Sequence, residues 1–158
     1  MMVSNVRGSF GRFSGQLMIA AEPAKSAASV EVDVSTISTM NADRDAHLRT
    51  ADYFEVEKFP TATFTSRKVL IEGAAITLVG DLEIHGITKS TEFDVEYLGA
   101  GNDPWGGYRV GFSATATLSR KDFGIDKIVT LDTGGVLVGD RITLELEIQA
   151  VHQSGAEA

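Results

Sequence analysis

Apolar and polar residues alternate with a period of two along most of this chain. The clearest case is "RITLELEIQ" (141–149), in which isoleucine and leucine side chains alternate with polar ones. Because successive side chains of a strand point to opposite faces, this pattern indicates strands with one buried face. The pattern predicts about seven strands, joined by Gly-rich turns. The other alternating segments are 28–35, 76–85, 92–97 and 109–118.

One segment departs from this alternation. Asn41 is a good helix N-cap, and Asp43 and Asp45 bring negative charge to the first helical turn, where the helix dipole favours it. Pro60 ends any helical continuation. The segment therefore predicts one short helix near 42–52, followed by an extended approach to the next strand.

The stretch "GDLEIHGITKSTEFDVEYLG" (80–99) holds a histidine between two alternating runs. It predicts a hairpin with a five-residue connection, 85–89, that contains Gly86. His85 has the same parity as Asp81 and Glu83, which belong to the polar, outward set. His85 is therefore expected to be a corner of the hairpin rather than a reacting group.

The parity of the apolar residues changes at two places, and each change predicts a β-bulge. One lies between Phe64 and Val69, and the other lies between Phe10 and Phe13.

Long antiparallel strands with one apolar face pack into a sandwich or curl into a barrel. Nine or ten residues extend about 30 Å at roughly 3.3 Å per residue, which suits a barrel that encloses something. Ala114 and Ala116 take inward positions beside Phe112. Two explanations stay open: the alanines leave room for a ligand, or they face a bulky neighbouring side chain. The expected class is all-β, an antiparallel lipocalin-like barrel with one inserted helix.

Composition narrows the functional classes. The 158 residues fit one domain, predicted at 1–151, with a flexible tail at 152–158. A formal charge of −8 argues against nucleic acid and offers no basic patch for anionic lipid. There is no cysteine, no apolar run long enough to span a membrane and no leader-like apolar start. The cytoplasm is the expected location, whereas an incomplete N-terminus would point to the periplasm or secretion.

Several motifs, in order, resemble the YceI-like family of lipocalin-like polyisoprenoid-binding proteins. The resemblance covers about Val3 to Val151 and implies an extended antiparallel barrel whose long apolar pocket binds an isoprenoid lipid, such as a polyprenyl chain or an isoprenoid quinone. It implies storage or transport without catalysis, no cofactor, and a homodimer as one arrangement. The motifs are "VRGSFGRFSG" (6–15), "RDAHLRTADYFEVEKFPTATF" (44–64), "GDLEIHGITK" (80–89), "LGAGNDPWGGYRVGFSATATLSRKDFGI" (98–125) and "GGVLVGDRITLELEIQAV" (134–151).

Two departures from the family pattern affect these expectations. Family members have a further strand ahead of the "VRGSFG" motif, whereas this chain begins directly before it. The barrel is thus expected to lack the family's first strand and to leave an open edge, unless the start lies upstream or a partner chain fills the gap. The second departure is Lys127 and Ile128, where family members often have Trp-Asn.

The candidate chemistry is sparse. His47, His85 and His152 fall on the helix, a turn and the tail, without the spacing of a metal site, so no metal is expected. No nucleophile elbow is present, and Ser90 or Ser119 with His85 has no spacing argument. Two alternatives to a lipid carrier stay open. One is an enzyme that acts on such a lipid with His85 as general base, and the other is an interaction module that uses an open barrel edge.

The predicted ligand site is therefore aromatic and apolar, with plain core packing as the alternative for any of its members. Three phenylalanines are expected to close the barrel end beneath the helix: Phe54, Phe59 and Phe123. Six residues are expected to form the wall of the tunnel: Phe13, Phe64, Phe93, Phe112, Ala114 and Ala116.

Overall fold

The structure is a computed structural model that describes residues 8–102, 104, 106–125 and 141–152. Residues 126–140, which include Lys127 and Ile128, and the tail from 153 onward lie outside the described residues. The elements are β1 (Ser9–Phe10), β2 (Phe13–Met18), β3 (Ala27–Asp33), β4 (Ile37–Ser38), α1 (Ala42–Leu48), β5 (Thr61–Glu72), β6 (Ala75–Ile84), β7 (Ile87–Asn102), β8 (Tyr108–Ser119) and β9 (Arg141–His152). Short 3₁₀ turns span Pro23–Lys25, Val34–Thr36 and Arg120–Phe123.

Seven of these strands form one antiparallel sheet in the order β2-β3-β5-β6-β7-β8-β9. The sheet curls into a nearly closed barrel, which confirms the predicted fold class. The two-residue strands β1 and β4 pair with each other beside it. Within the described residues, β2 and β9 are the two edges of the sheet. In this part of the chain, no helix has the length and apolar character needed to cross a bilayer.

The register brings the apolar set of each strand onto the inner face of the sheet. Phe64 lies opposite Val30 on one side and Leu82 on the other. On β7, the Phe93 ring meets the Phe64 ring edge to face, with centroids 4.9 Å apart. The core therefore forms where these inward rows meet. Its buried members are Tyr53, Phe64, Leu82, Ile84, Phe93, Ala114, Ala116, Phe123 and Ile125.

The β6–β7 connection is two residues long, so the predicted five-residue connection is wrong. Ile84 pairs directly with Ile87, and only His85 and Gly86 lie between the strands. Both have positive φ, 57° and 75°. Two left-handed residues in succession make the turn that matches the twist of a two-residue hairpin. A histidine in the first position gave no signal for this turn, because glycine, asparagine and aspartate are its usual residues.

The two parity changes have different structural origins. The predicted bulge on β5 is confirmed, since the register with β6 shifts between Ser66 and Lys68. The predicted bulge between Phe10 and Phe13 is wrong, because the two residues belong to separate strands that pair with β4 and β3. A further shift, between Tyr97 and Gly99 of β7, was not predicted.

Helix α1 starts as predicted but ends at Leu48 rather than near 52. The Asn41 side chain accepts a hydrogen bond from the Arg44 amide (3.0 Å), which caps the first turn. At the other end, the Thr50 hydroxyl donates to the His47 carbonyl (2.6 Å) and the Phe54 amide donates to the Leu48 carbonyl (3.0 Å). These bonds satisfy the last carbonyls of the helix and turn the chain towards the barrel.

The barrel has two unlike ends. Its closed end carries the β6–β7 turn, the 3₁₀ turn Arg120–Phe123, and the segment 49–60 that follows α1. Its open end carries the β5–β6 turn, the β7–β8 connection and the last residue of β9. Strands β2, β5, β7 and β9 run towards the open end, because neighbouring strands are antiparallel and β5 starts at the closed end.

Two glycines with left-handed backbone allow a test of the closed end. In a Gly86→Ala variant, the new Cβ would lie 2.5 Å from the Phe59 ring at φ +75°. In Gly73→Ala, φ is +60° but nothing lies within 4 Å of the new Cβ. Both variants carry backbone strain of about 1–3 kcal/mol. We expect Gly86→Ala to lower the free energy of unfolding more, as measured by urea denaturation, and equal losses would contradict close packing of Phe59 on the turn.

Candidate functional site

The inner face of the barrel is buried at one end and accessible at the other. The buried apolar residues of the inner face lie in the half of the barrel nearer the closed end, as at Phe93, which is 1% exposed. Inward apolar residues nearer the open end, and those of edge strand β9 along its length, are half-buried or exposed. The half-buried inward residues, four of which pack against the buried cluster, leave apolar surface partly exposed on the inner face. These residues define the apolar hollow: Val69, Leu78, Val95, Val110, Phe112, Leu144, Leu146 and Ile148.

One row of this hollow lies close to its mouth. Ile148 of β9 lies opposite Phe112 of β8, which in turn lies opposite Tyr97 of β7. The Tyr97 and Phe112 rings are tilted against each other with centroids 5.5 Å apart. Tyr97 is 53% exposed. The row thus leaves parts of two aromatic rings and a branched aliphatic side chain exposed on the inner face towards the open end.

The closed end is filled by side chains from three separate segments. Tyr53 and Phe123 are buried there, and Phe54 packs partly buried against the same cluster. The Phe54 ring also meets Phe10 edge to face at 6.2 Å. Buried Arg120 donates a 2.6 Å hydrogen bond to the Ile125 carbonyl, which holds the chain after the 3₁₀ turn against the barrel. These contacts give the hollow a floor at this end.

His85 ties the segments of the closed end together. Its Nδ1 lies 3.0 Å from the Phe123 carbonyl oxygen, and because a carbonyl only accepts, Nδ1 carries the proton. Its Nε2 lies 3.7 Å from a carboxylate oxygen of Glu55, and its ring packs edge to face on Phe59 at 4.7 Å. His85 is therefore a corner that positions three segments. Both ring nitrogens point to protein groups at the floor and neither points to the mouth.

Hydrogen bonds hold two carboxylates around α1 in their ionised form. The Asp45 carboxylate accepts hydrogen bonds from the Thr39 hydroxyl (2.5 Å) and the Thr39 amide (2.8 Å). These bonds, the hydroxyl's first, lower the pKa of Asp45 against the opposing effect of burial. The Ser35 hydroxyl likewise lowers the pKa of Asp33. Both carboxylates thus act as ionised acceptors that fix the chain around α1.

The predicted site residues divide into three groups. Five are buried in the core near the closed end: Phe64, Phe93, Ala114, Ala116 and Phe123. Three are half-buried: Phe54 and Phe59 at the closed end and Phe112 in the hollow. Phe13 is 58% exposed, because β2 is an edge strand of the sheet and has a paired neighbour on one side only within the described residues.

Most of the hollow was not named from the sequence. Leu144, Leu146 and Ile148 line it, and their alternation was recognised only as a strand signal. Their position opposite Ala116, Ala114 and Phe112 is the signal that was missing, and it depends on the β8–β9 register. The small side chains on β8 thus lie beside larger ones on the neighbouring strand β9.

Other features of the described residues do not extend this site. Two open depressions of about 350 Å³ each lie along β2, β3 and β5, and share Ser14 and Glu31 in their walls. Their mixed lining contrasts with the apolar hollow. No group of three or more His, Cys, Asp or Glu side chains gathers at metal-binding distance in the part of the chain that is described. The Ser90 hydroxyl accepts a hydrogen bond from Arg67.

Comparison with known proteins identifies relatives along the whole barrel. The sequence model of the YceI-like domain matches residues 1–150. A UPF0312 protein of Photorhabdus laumondii is 42% identical over 117 residues, which are 73% of this chain and 61% of that protein. One of Vibrio cholerae is 43% identical over 126 residues, 77% of this chain and 66% of that protein. The chain thus spans less than two thirds of the length of these two relatives.

Solved structures agree with this assignment. A Campylobacter jejuni YCEI protein superposes with a TM-score of 0.84 at 28% identity, over 98% of this chain and 89% of that one. A mutant of it was crystallised with a monobromobimane guest. Burkholderia cenocepacia BcnA shares the fold, with a TM-score of 0.78 at 22% identity over 90% of this chain and 86% of that one. With this fold and this sequence match, the chain belongs to the YceI-like family.

Proposed function

We propose that this barrel binds an isoprenoid lipid, a polyprenyl chain or an isoprenoid quinone, in its apolar hollow and stores or carries it unchanged. The observation that carries the proposal is the graded burial of the inner face. Apolar inward side chains are buried near His85 and partly exposed near Tyr97, and this gradient supports a hollow with a floor and a mouth. A tube closed at one end accepts a hydrocarbon chain that enters lengthwise.

The energetics of the hollow suit a ligand with little polar character. Burial contributes about 0.8 kcal/mol per CH₂-sized group, so one five-carbon isoprenoid unit gains roughly 3 kcal/mol before ordering costs. The lining residues offer branched aliphatic and aromatic surface, as at Leu146, Ile148 and Phe112. Discrimination among ligands is therefore expected to follow chain length and cavity shape more than the head group.

The geometry around His85 favours lipid binding without catalysis. A general base needs a free acceptor within reach of the substrate. The Nδ1 of His85 is committed to the Phe123 carbonyl. Its Nε2 has no hydrogen-bond partner within the described residues, but it is buried at the floor and faces Glu55 rather than the hollow. The hollow itself presents aliphatic and aromatic side chains. This arrangement fits a non-catalytic binding site better than an active site.

The direct test is to identify what the purified protein holds. We expect organic extraction of the native protein, followed by mass spectrometry, to release an isoprenoid lipid in near-stoichiometric amount. The matched control is protein that is first unfolded and washed, a treatment that removes bound lipid, and is then extracted in the same way. An empty extract from protein purified from several hosts, together with no uptake of added polyprenol or quinone, would contradict the proposal.

A further inference from the structure

The outer face of the barrel changes character at the open end. Along most of the sheet, outward positions carry polar residues, small residues or the buried Val79; typical polar ones are Thr65, Asp81, Asp94, Thr115, Glu145 and Glu147. Of the ten large apolar residues that are exposed in the described part of the chain, eight lie at the open end. Exposed apolar residues scattered singly are ordinary, but a set confined to one end marks an interaction surface.

Four of these residues point outward and form a belt around the mouth. They are exposed by 45% to 57% and lie on the four strands that run towards this end. Each lies within four residues of the end of its strand. Leu98 follows inward Tyr97 and therefore lies on the outward side, where its Cβ is 3.6 Å from the position that a Cβ on Gly111 would take. The belt consists of Met18, Leu70, Leu98 and Val151.

Aromatic side chains complete the rim on its inner side. Tyr97 and Tyr108 are exposed at inward positions of β7 and β8 near the mouth. Tyrosine is enriched where a protein meets a membrane interface, because its ring is apolar and its hydroxyl remains hydrated. The belt and the tyrosines thus connect the outer rim to the apolar hollow without a polar break between Leu98 and Tyr97.

The charges at this end indicate an electrically neutral partner. The whole chain carries a formal charge of −8. In the connections at the open end, and within three residues of them, the described charged residues are two acidic and two basic: Glu22, Glu72, Lys25 and Arg109. Glu22 and Lys25 form an ion pair at 3.3 Å. The described residues of this end include no basic cluster, which an anionic surface would need, and in the sequence Asp103 adds an acidic residue to the β7–β8 connection.

The shape of the belt favours a planar partner. Its four residues lie on alternate strands around the rim of a tube and do not form one continuous patch on one wall. A protein partner or a second copy of the chain would need a continuous, complementary surface. A lipid surface needs only apolar side chains that reach a common boundary, because acyl chains and head groups adapt to their shape.

We propose that the belt docks the open end of the barrel onto an electrically neutral phospholipid bilayer, so that the mouth of the hollow faces the lipid phase. The choice of a bilayer as the apolar partner rests on the proposed function. Docking in this orientation lets a hydrocarbon chain pass between bilayer and hollow without crossing water. The polar outer wall below the belt stays in solution.

The test is flotation of the full chain with vesicles of phosphatidylcholine alone. We expect the unmodified protein to float with the vesicles and the double variant Leu70→Ser/Leu98→Ser to lose about tenfold in binding, since interfacial affinity scales with buried apolar area. The matched control is Thr65→Ser/Thr117→Ser, which alters exposed outward positions away from the belt and should float like the unmodified protein. Thermal melting of both double variants checks that they fold.

The outcomes separate docking from lipid binding. If the Leu70/Leu98 variant no longer floats but still yields the same amount of extractable lipid, the result supports docking by the belt. If the unmodified protein floats but yields an empty extract, docking by the belt is supported and the proposed function fails. No flotation of the unmodified protein overturns the proposal, as does binding only to vesicles that contain anionic phosphatidylglycerol. A dimer in light scattering that the Leu70/Leu98 variant abolishes also overturns it, because the belt is then an interface between two copies.

Discussion

Replacing Phe93 by alanine is expected to lower the free energy of unfolding by about 3–5 kcal/mol, the cost of deleting a fully buried aromatic ring. Phe93 is 1% exposed and its ring packs edge to face on Phe64. It belongs to the buried cluster that includes Ala114 and Phe123. The loss has two parts, the transfer free energy of the ring and the cavity that remains. Urea denaturation followed by circular dichroism measures it.

The control for this prediction is the same substitution at an exposed phenylalanine. Phe13→Ala removes a ring that is 58% exposed on edge strand β2, so we expect a change within about 1 kcal/mol. Phe93→Leu should recover part of the loss, because it refills part of the volume. If Phe93→Ala and Phe13→Ala lower the free energy of unfolding equally, the half of the barrel nearer the closed end is not a packed core and the hollow has no floor.

Replacing Ile148 by glutamate is expected to reduce the lipid retained by the purified protein by at least about tenfold. Ile148 is half-buried on the inner face, opposite Phe112 near the mouth. A carboxylate there must either lose its hydration against a hydrocarbon ligand or keep water in the hollow. An unpaired buried charge costs several kcal/mol, and each 1.4 kcal/mol is a factor of ten in affinity. Quantitative mass spectrometry of the extract gives the ratio of lipid to protein.

The adjacent residue provides the matched control. Gln149→Glu adds the same charge to the same strand, but Gln149 is exposed on the outer face opposite Gly111. We expect this variant to retain as much lipid as the unmodified protein. Equal retention in Ile148→Glu and Gln149→Glu would mean that the ligand does not contact this part of β9. Neither residue belongs to the buried core cluster, and thermal melting of both variants checks that they fold.

His85 illustrates how far local sequence reasoning reaches. The parity of "GDLEIH" predicted a corner, and the structure has that corner. The length of the turn and the contacts of the ring with Phe123 and Glu55 could not be derived in this way. Those partners lie more than 25 residues away along the chain. Their approach depends on how three segments meet at the closed end.

The assignment of individual site residues had the same limit. Phe13 and Phe93 have the same chemistry and both lie on the apolar side of their strands, yet one is exposed and the other is buried. The difference comes from the position of β2 at a sheet edge and of β7 between two strands. Whether inward alanines leave space or face bulky neighbours likewise depends on which residues lie opposite them, Leu146 opposite Ala114 and Leu144 opposite Ala116.

The sequence by itself determined that this chain makes antiparallel strands with one apolar face, one capped helix and a bulge in β5. Those features follow from the two-residue period of a strand, from capping chemistry and from parity, which all act between near neighbours. Only the tertiary structure decided which apolar residues are buried in the core, which stay half-buried on the inner face, and that exposed apolar residues gather at one end of the barrel. The physical reason is that burial depends on register and strand order, which are set by contacts between residues far apart in the chain.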